Sequence, residues 1–143
     1  MPFSHPLIQS VAQVLHGKEH VIALVYASLL SGGHVLLEDV PGVGKTTLAH
    51  AIATAANLPF KRLQCTNDLL ASDVLGMSLW NPEQKTFQFH PGPIFTHVLV
   101  ADELNRAPSK SQSALLEAME EGRVSIDGQW HDLPQPFWVV ATQ

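Results

Sequence analysis

Along HPLIQSVAQVLHG, the residues Leu7, Ile8, Val11, Val14 and Leu15 recur at helical spacing, and Gly17 is placed to stop that helix. A second helix is predicted next. Its apolar positions Val21, Ile22, Leu24, Val25, Leu29 and Leu30 cover most of the circumference, which predicts a largely buried helix ended by Gly32 and Gly33. HVLLEDV follows as a short strand buried on both faces. Lys45 to Asn57 has Leu48, Ile52 and Ala55 or Ala56 on one face, a helix closed by Pro59. Phe60 to Cys65 reads as a second strand, and the runs Met77 to Trp80 and Thr86 to Phe89, joined by NPEQK, as a hairpin. His97 to Glu103 is a further buried strand that ends in two carboxylates.

Ser109 to Glu121 is predicted as a helix with a Ser109/Gln112 capping box, a Leu115, Leu116, Met119 stripe and Gly122 at its end. Asp127-Gly128 marks a tight turn within RVSIDGQWHDL, and FWVVATQ supplies one more apolar strand. Strands alternating with helices in this way imply βαβ units, right-handed connections and a mostly parallel sheet. With no repeat, low-complexity tract or linker, residues 1–143 read as part of one α/β domain. The sequence stops within a buried-type strand, where a complete domain seldom ends.

Composition narrows the class. Hydrophobic residues form 45% of the 143 and charged residues 15%, a globular balance. The net charge of −5 argues against nonspecific binding to nucleic acid or to an anionic membrane surface. A single cysteine, Cys65, excludes an internal disulfide and is expected as a buried strand residue. MPFSHPLIQSV lacks the basic flank and apolar stretch of a signal peptide, so a cytoplasmic location is expected. Of the eight histidines only His16 and His20 have i, i+4 spacing, without an accompanying carboxylate motif, and they read as exposed helix residues.

The chemistry concentrates in EDVPGVGKTTLA. Backbone N–H groups can point at a phosphate only where side chains do not block the approach, which Gly42 and Gly44 provide after Pro41. Lys45 can then reach the β and γ phosphates, and Thr46 can offer its hydroxyl to Mg²⁺. Asp39 stands where the usual motif opens with glycine, at the strand end and before the amides that wrap the phosphates. HVLVADE supplies the complementary acids: Asp102 for the Mg²⁺ shell and Glu103 to orient water. Both fall at the carboxyl ends of strands, where ligands gather in open α/β sheets.

GHVLLEDVPGVGKTTLA, HPGPIFTHVLVADELNRAPSKSQSALLEAMEEGRVSIDG and PFWVVATQ resemble AAA+ ATPases of the MoxR family. DELNRAP and QSALLEAMEE favour that family over a generic P-loop protein, and the family carries Asp as well as Gly at the position of Asp39. The resemblance implies a P-loop NTPase (AAA+) parallel-sheet sandwich and an ATP-driven, Mg²⁺-dependent remodelling chaperone. It also implies homo-hexameric rings and von Willebrand factor A-type partner proteins. By position, Gly42 to Thr47 resemble the Walker A loop, with Asp102 and Glu103 as Walker B; the resemblance implies Pro41, Gly42, Val43, Gly44, Lys45, Thr46, Thr47 and Asp102 as nucleotide-binding residues, Lys45 and Glu103 as catalytic and Thr46 and Asp102 as metal-binding. Thr66 or Asn67 matches the polar residue that switches the catalytic glutamate, and Asn105 and Arg106 match a motif beside the site. The Met77 to Phe89 and RVSIDGQWHDL hairpins resemble inserts that face substrate or pore, or else are ordinary surface hairpins; Phe87, Phe89, Trp130 and Trp138 are expected to be packing residues.

In the family, sensor 1, the arginine finger, the last core strand and the helical lid lie beyond the residue matching Gln143. The resemblance therefore implies an incomplete core in which the P-loop strand is a bare edge, nucleotide binding is retained and hydrolysis is impaired. The alternative is a nucleotide-independent interaction fragment.

Overall fold

The computed structural model describes residues 5–38 and 44–143. Two helices, α1 (Pro6–Val14) and α2 (Glu19–Leu30), precede strand β1 (Val35–Leu37), and α3 (Lys45–Ala55) leads to β2 (Phe60–Gln64). A short helix α4 (Ala71–Leu75) opens the hairpin β3 (Gly76–Asn81) and β4 (Thr86–Pro91). Then come β5 (Val98–Asp102), a 3₁₀ turn (Leu104–Arg106), α5 (Ser109–Glu121), the hairpin β6 (Arg123–Ile126) and β7 (Gln129–Asp132), and β8 (Trp138–Thr142).

Four strands form one parallel sheet in the order β1-β8-β5-β2. Strand alternation divides the core between the two sides of that sheet. Val98 packs with Leu48 and Ile52 of α3 and with Ile22, Val25 and Leu29 of α2, and Val100 packs with Ala49. Leu99 and Ala101 join Leu115 and Ala118 of α5 on the opposite side. The central strands β5 and β8 are buried at every position, as their continuous apolar runs predict. The fold class read from the sequence thus meets an α/β sandwich with a parallel sheet.

Several local expectations are corrected. Helix α2 buries only Ile22, Val25 and Leu29, while Val21, Leu24 and Leu30 are exposed. The helix caps one side of the sheet instead of lying inside the core. Among the described residues, strand β1 pairs only with β8 and lies at the sheet edge, and Leu36 is half exposed and not buried on both faces. Helix α3 ends at Ala55, before the left-handed Asn57, and its face is completed by Ala49 and Ala53. No Ser109/Gln112 capping box forms: Pro108 is the N-cap, and the Gln112 side chain donates to the Ala107 carbonyl at 2.8 Å. Leu116 points outward. His16 sits in the turn after α1 and not on a helix. Phe87 and Trp130 are exposed, whereas Trp138 is buried and Phe89 stacks on His131.

The hairpin β3-β4 leaves the body through a close backbone crossing. A Cβ on Gly76 would lie 2.2 Å from the His90 carbonyl oxygen, and one on Gly92 would lie 2.4 Å from that of Val74. Only glycine permits that approach. Asp127 and Gly128 both have positive φ, and with the Ile126–Gln129 pair they make the tight turn read from Asp-Gly.

Candidate functional site at the carboxyl ends of the strands

Because all four strands of the sheet are parallel, their carboxyl ends gather on one edge of the molecule. Asp102 is the last residue of β5 and shares the parity of Val98 and Val100, so it continues the α3-facing side where the apolar core stops. Thr46 lies in the first turn of α3. Its hydroxyl donates to the Asp102 carboxylate, 3.1 Å from Oδ1 and 3.2 Å from Oδ2. That helix starts from Gly44 in a left-handed conformation (φ 74°, ψ 28°), a geometry that glycine adopts freely. The first backbone N–H groups of a helix lack intrahelical partners and carry its positive dipole end, so the turn Lys45-Thr46-Thr47 presents amides suited to an anion.

Two further residues fix the same carboxylate. Thr142, at the end of β8, donates its hydroxyl to Asp102 Oδ1 at 3.2 Å, and the Thr142 hydroxyl oxygen in turn accepts from the Glu103 N–H at 3.1 Å. Arg62 of β2 donates Nε–H to Asp102 Oδ2 as an ion pair and holds the Gln64 amide oxygen at 3.1 Å. Asp102 is buried and Arg62 exposed, with side-chain exposures of 7% and 55%. Cys65 is buried next to the strand end; desolvation, with the Asp102 charge adding, pushes its thiol up and leaves it protonated.

Glu103 leaves the strand with left-handed backbone (φ 56°, ψ 48°) and an exposed side chain. Strict alternation would turn it to the α5 side, but the turn breaks that alternation directly after Asp102. For a non-glycine residue such a conformation costs on the order of 1 kcal/mol and clusters at functional sites. Thr66 is half-buried and donates to Asp68 at 2.5 Å, while Asn67 is exposed. Asn105 and Arg106 are exposed on the 3₁₀ turn after Glu103. Of the sequence-derived site, Thr46, Asp102 and Glu103 are brought to one strand-end cluster, with Lys45 and Thr47 on the same helical turn. Asp39, Pro41, Gly42 and Val43, and the Lys45 side chain, lie outside what is described. A cleft of about 410 Å³ lies at the opposite end of the sheet, lined by His34, Met119, Phe137 and Trp138 among others, and shares no residue with this cluster.

The family model of the ATPase family associated with various cellular activities (AAA) matches residues 34–143. The chain belongs to the AAA family. Relatives agree with the MoxR resemblance: chaperone MoxR1 of Mycobacterium tuberculosis is 43% identical over 95% of this chain and 36% of its own length. The uncharacterized protein YeaC of Bacillus subtilis is 50% identical over 97% of this chain and 45% of its own. A solved structure of a candidate ATPase from Cytophaga hutchinsonii superposes with a TM-score of 0.82 at 42% identity, covering 96% of this chain and 42% of that one. The AAA chain thus spans less than half the length of these relatives.

Arg62, Gln64 and Thr142 were not among the sequence-derived site residues of this AAA chain. A signal for each existed. In FKRLQC the polar Arg62 and Gln64 alternate with the buried Leu63 and Cys65, so β2 turns a polar face toward the side that carries Asp102. Thr142 is the first polar residue of the apolar run WVVAT and therefore marks its carboxyl end.

Proposed function

We propose that this chain is the nucleotide-binding part of a MoxR-type AAA ATPase, residues 1–143 forming part of one domain that binds ATP with Mg²⁺. The observation that carries the reading is the Thr46–Asp102 hydrogen bond, which joins the first turn of α3 to the end of β5 at the edge where parallel sheets bind ligands. The phosphates would lie on the amides of Gly42, Val43 and Gly44 and of the first turn of α3, with Pro41 shaping the entry and Thr47 within the turn. Lys45 would pair with the β and γ phosphates.

The donor set fits a hard divalent cation. A buried carboxylate and a hydroxyl present oxygen only, the ligand type Mg²⁺ takes through one or two protein groups plus substrate phosphates. Thr46 and Asp102 would hold it, and when bound it would neutralise charge on the phosphoryl oxygens. Glu103, beyond the strand and exposed, would accept a proton from the attacking water and orient it. Thr142 keeps Asp102 in place and ties the Glu103 backbone to it.

For the whole protein, the MoxR1 relative supports a chaperone-type ATPase, and membership of the AAA family supports assembly into a ring. A homo-hexamer, von Willebrand factor A-type partners and cytoplasmic location extend that reading. Among the described residues, no helix is long and apolar enough to cross a membrane.

The test is a pair of substitutions. Lys45→Ala should abolish ATP binding measured by calorimetry, and Glu103→Gln should retain binding while removing any phosphate release. Equal titrations for the unmodified chain and Lys45→Ala would defeat the reading in favour of a nucleotide-independent fragment.

A further inference from the structure

The carboxylate assigned to the cation is already claimed by another one. Asp102 Oδ2 accepts from Arg62 Nε–H and from Thr46, and Oδ1 accepts from Thr46 and Thr142. A carboxylate has about four lone-pair sites, so these partners engage both oxygens, and a divalent cation needs one partner to yield. The two hydroxyls come from the first turn of α3 and from the central strand β8. Arg62 projects instead from β2, which among the described residues pairs only with β5 at the sheet edge, and more than half of its side chain is in solvent. An exposed guanidinium loses little on leaving one ion pair, whereas the buried Asp102 has no comparable freedom.

We propose that Arg62 is a positioning residue that holds Asp102 as a displaceable cation, so that Mg²⁺ must compete with a guanidinium for the carboxylate. Gln64 strengthens the competitor. Its amide oxygen accepts from Arg62 Nη2 at 3.1 Å, fixing the guanidinium at a second point beside the carboxylate. The consequence is a threshold: Arg62 keeps the Asp102 carboxylate oriented at low Mg²⁺, and the site fills only when cation and nucleotide together displace the guanidinium. The proposal rests on the nucleotide-site reading above.

The experiment measures binding of a fluorescent ADP analogue to the chain as Mg²⁺ is raised, for the unmodified protein, Arg62→Ala, Arg62→Lys and Gln64→Ala. Removing the competitor should lower the half-saturating Mg²⁺ concentration by about two- to fivefold in Arg62→Ala, the range expected for one partly exposed ion pair. Arg62→Lys, which keeps the charge without the planar fork, should fall between, and Gln64→Ala should shift the same way by less. A readout that reports on Arg62 itself is the ¹⁵N-labelled Arg62 Nε–H resonance, which should move to its free-guanidinium position when Mg²⁺ and ADP are added together. An unchanged or raised Mg²⁺ requirement in Arg62→Ala would overturn the proposal and leave the nucleotide site standing, because a merely supportive Arg62 would weaken cation binding when removed. An unmodified chain that binds no ADP at any Mg²⁺ concentration would overturn both.

Discussion

Thr46 in α3 and Asp102 in β5, separated by 56 residues in sequence, are joined by a 3.1 Å hydrogen bond. That contact links the glycine-led helix start to the acidic strand end. It also sets the requirements on each partner: a hydroxyl at position 46 and a carboxylate at position 102. Thr46→Ala should reduce Mg²⁺-dependent nucleotide affinity by about tenfold, the loss typical of removing a group that holds or orients a metal ligand. Thr46→Ser should restore most of it. Nucleotide titrations at saturating Mg²⁺ check both, and equal affinities for Thr46→Ala and the unmodified chain would separate this contact from binding.

Glu103 combines a strained backbone with the proposed role in orienting water. Its φ of 56° is a conformation that glycine reaches without steric cost. Glu103→Gly should therefore stabilise the fold, by about 1 kcal/mol, while removing any phosphate release. Urea unfolding together with a phosphate-release assay tests the pair of effects. A destabilised Glu103→Gly variant would show that the side chain supports the fold through contacts of its own.

His34 gives the fold a pH dependence remote from the site. Its Nδ1 accepts from the Val139 N–H at 2.9 Å, which leaves Nε2 to donate toward the Met119 carbonyl at 3.4 Å. Burial lowers its pKa below the ordinary 6.5, and the Met119 contact opposes that only in part. A depressed folded-state value means that the unfolded chain takes up the proton first. The contribution of His34 is thus present above about pH 6.5 and is lost as the pH falls through the lower folded-state value. The melting temperature should drop from about pH 7.5 to about pH 5.5, and the drop should be smaller in His34→Gln, whose amide can still accept from Val139. Parallel pH profiles for the two proteins would contradict the assignment to His34.

The sheet and the site were legible to different depths. Long buried runs such as HVLVAD and WVVAT identified β5 and β8 because a strand covered on both faces needs no polar position. The same rule failed at HVLLEDV. Its apolar residues look alike in sequence, but among the described residues β1 lies at the sheet edge, a place that the family resemblance and not the apolar pattern implied. It failed again at α2, where Leu24 and Leu30 face outward. Within the candidate site, glycine, threonine and acidic residues at fixed spacing could be singled out because the proposed chemistry needs each of them. Arg62 could not, since its contact with Asp102 depends on which strand lies beside β5.

The measurement that bears most directly on the central claim is a calorimetric titration of the chain with ADP, with Mg²⁺ present and with Mg²⁺ chelated, for the unmodified protein and Asp102→Asn. If the amides and the Thr46–Asp102 pair form one nucleotide site, the unmodified chain binds ADP more tightly with Mg²⁺, and Asp102→Asn erases the difference. Equal affinity with and without Mg²⁺ in the unmodified chain, or no binding at all, would contradict it.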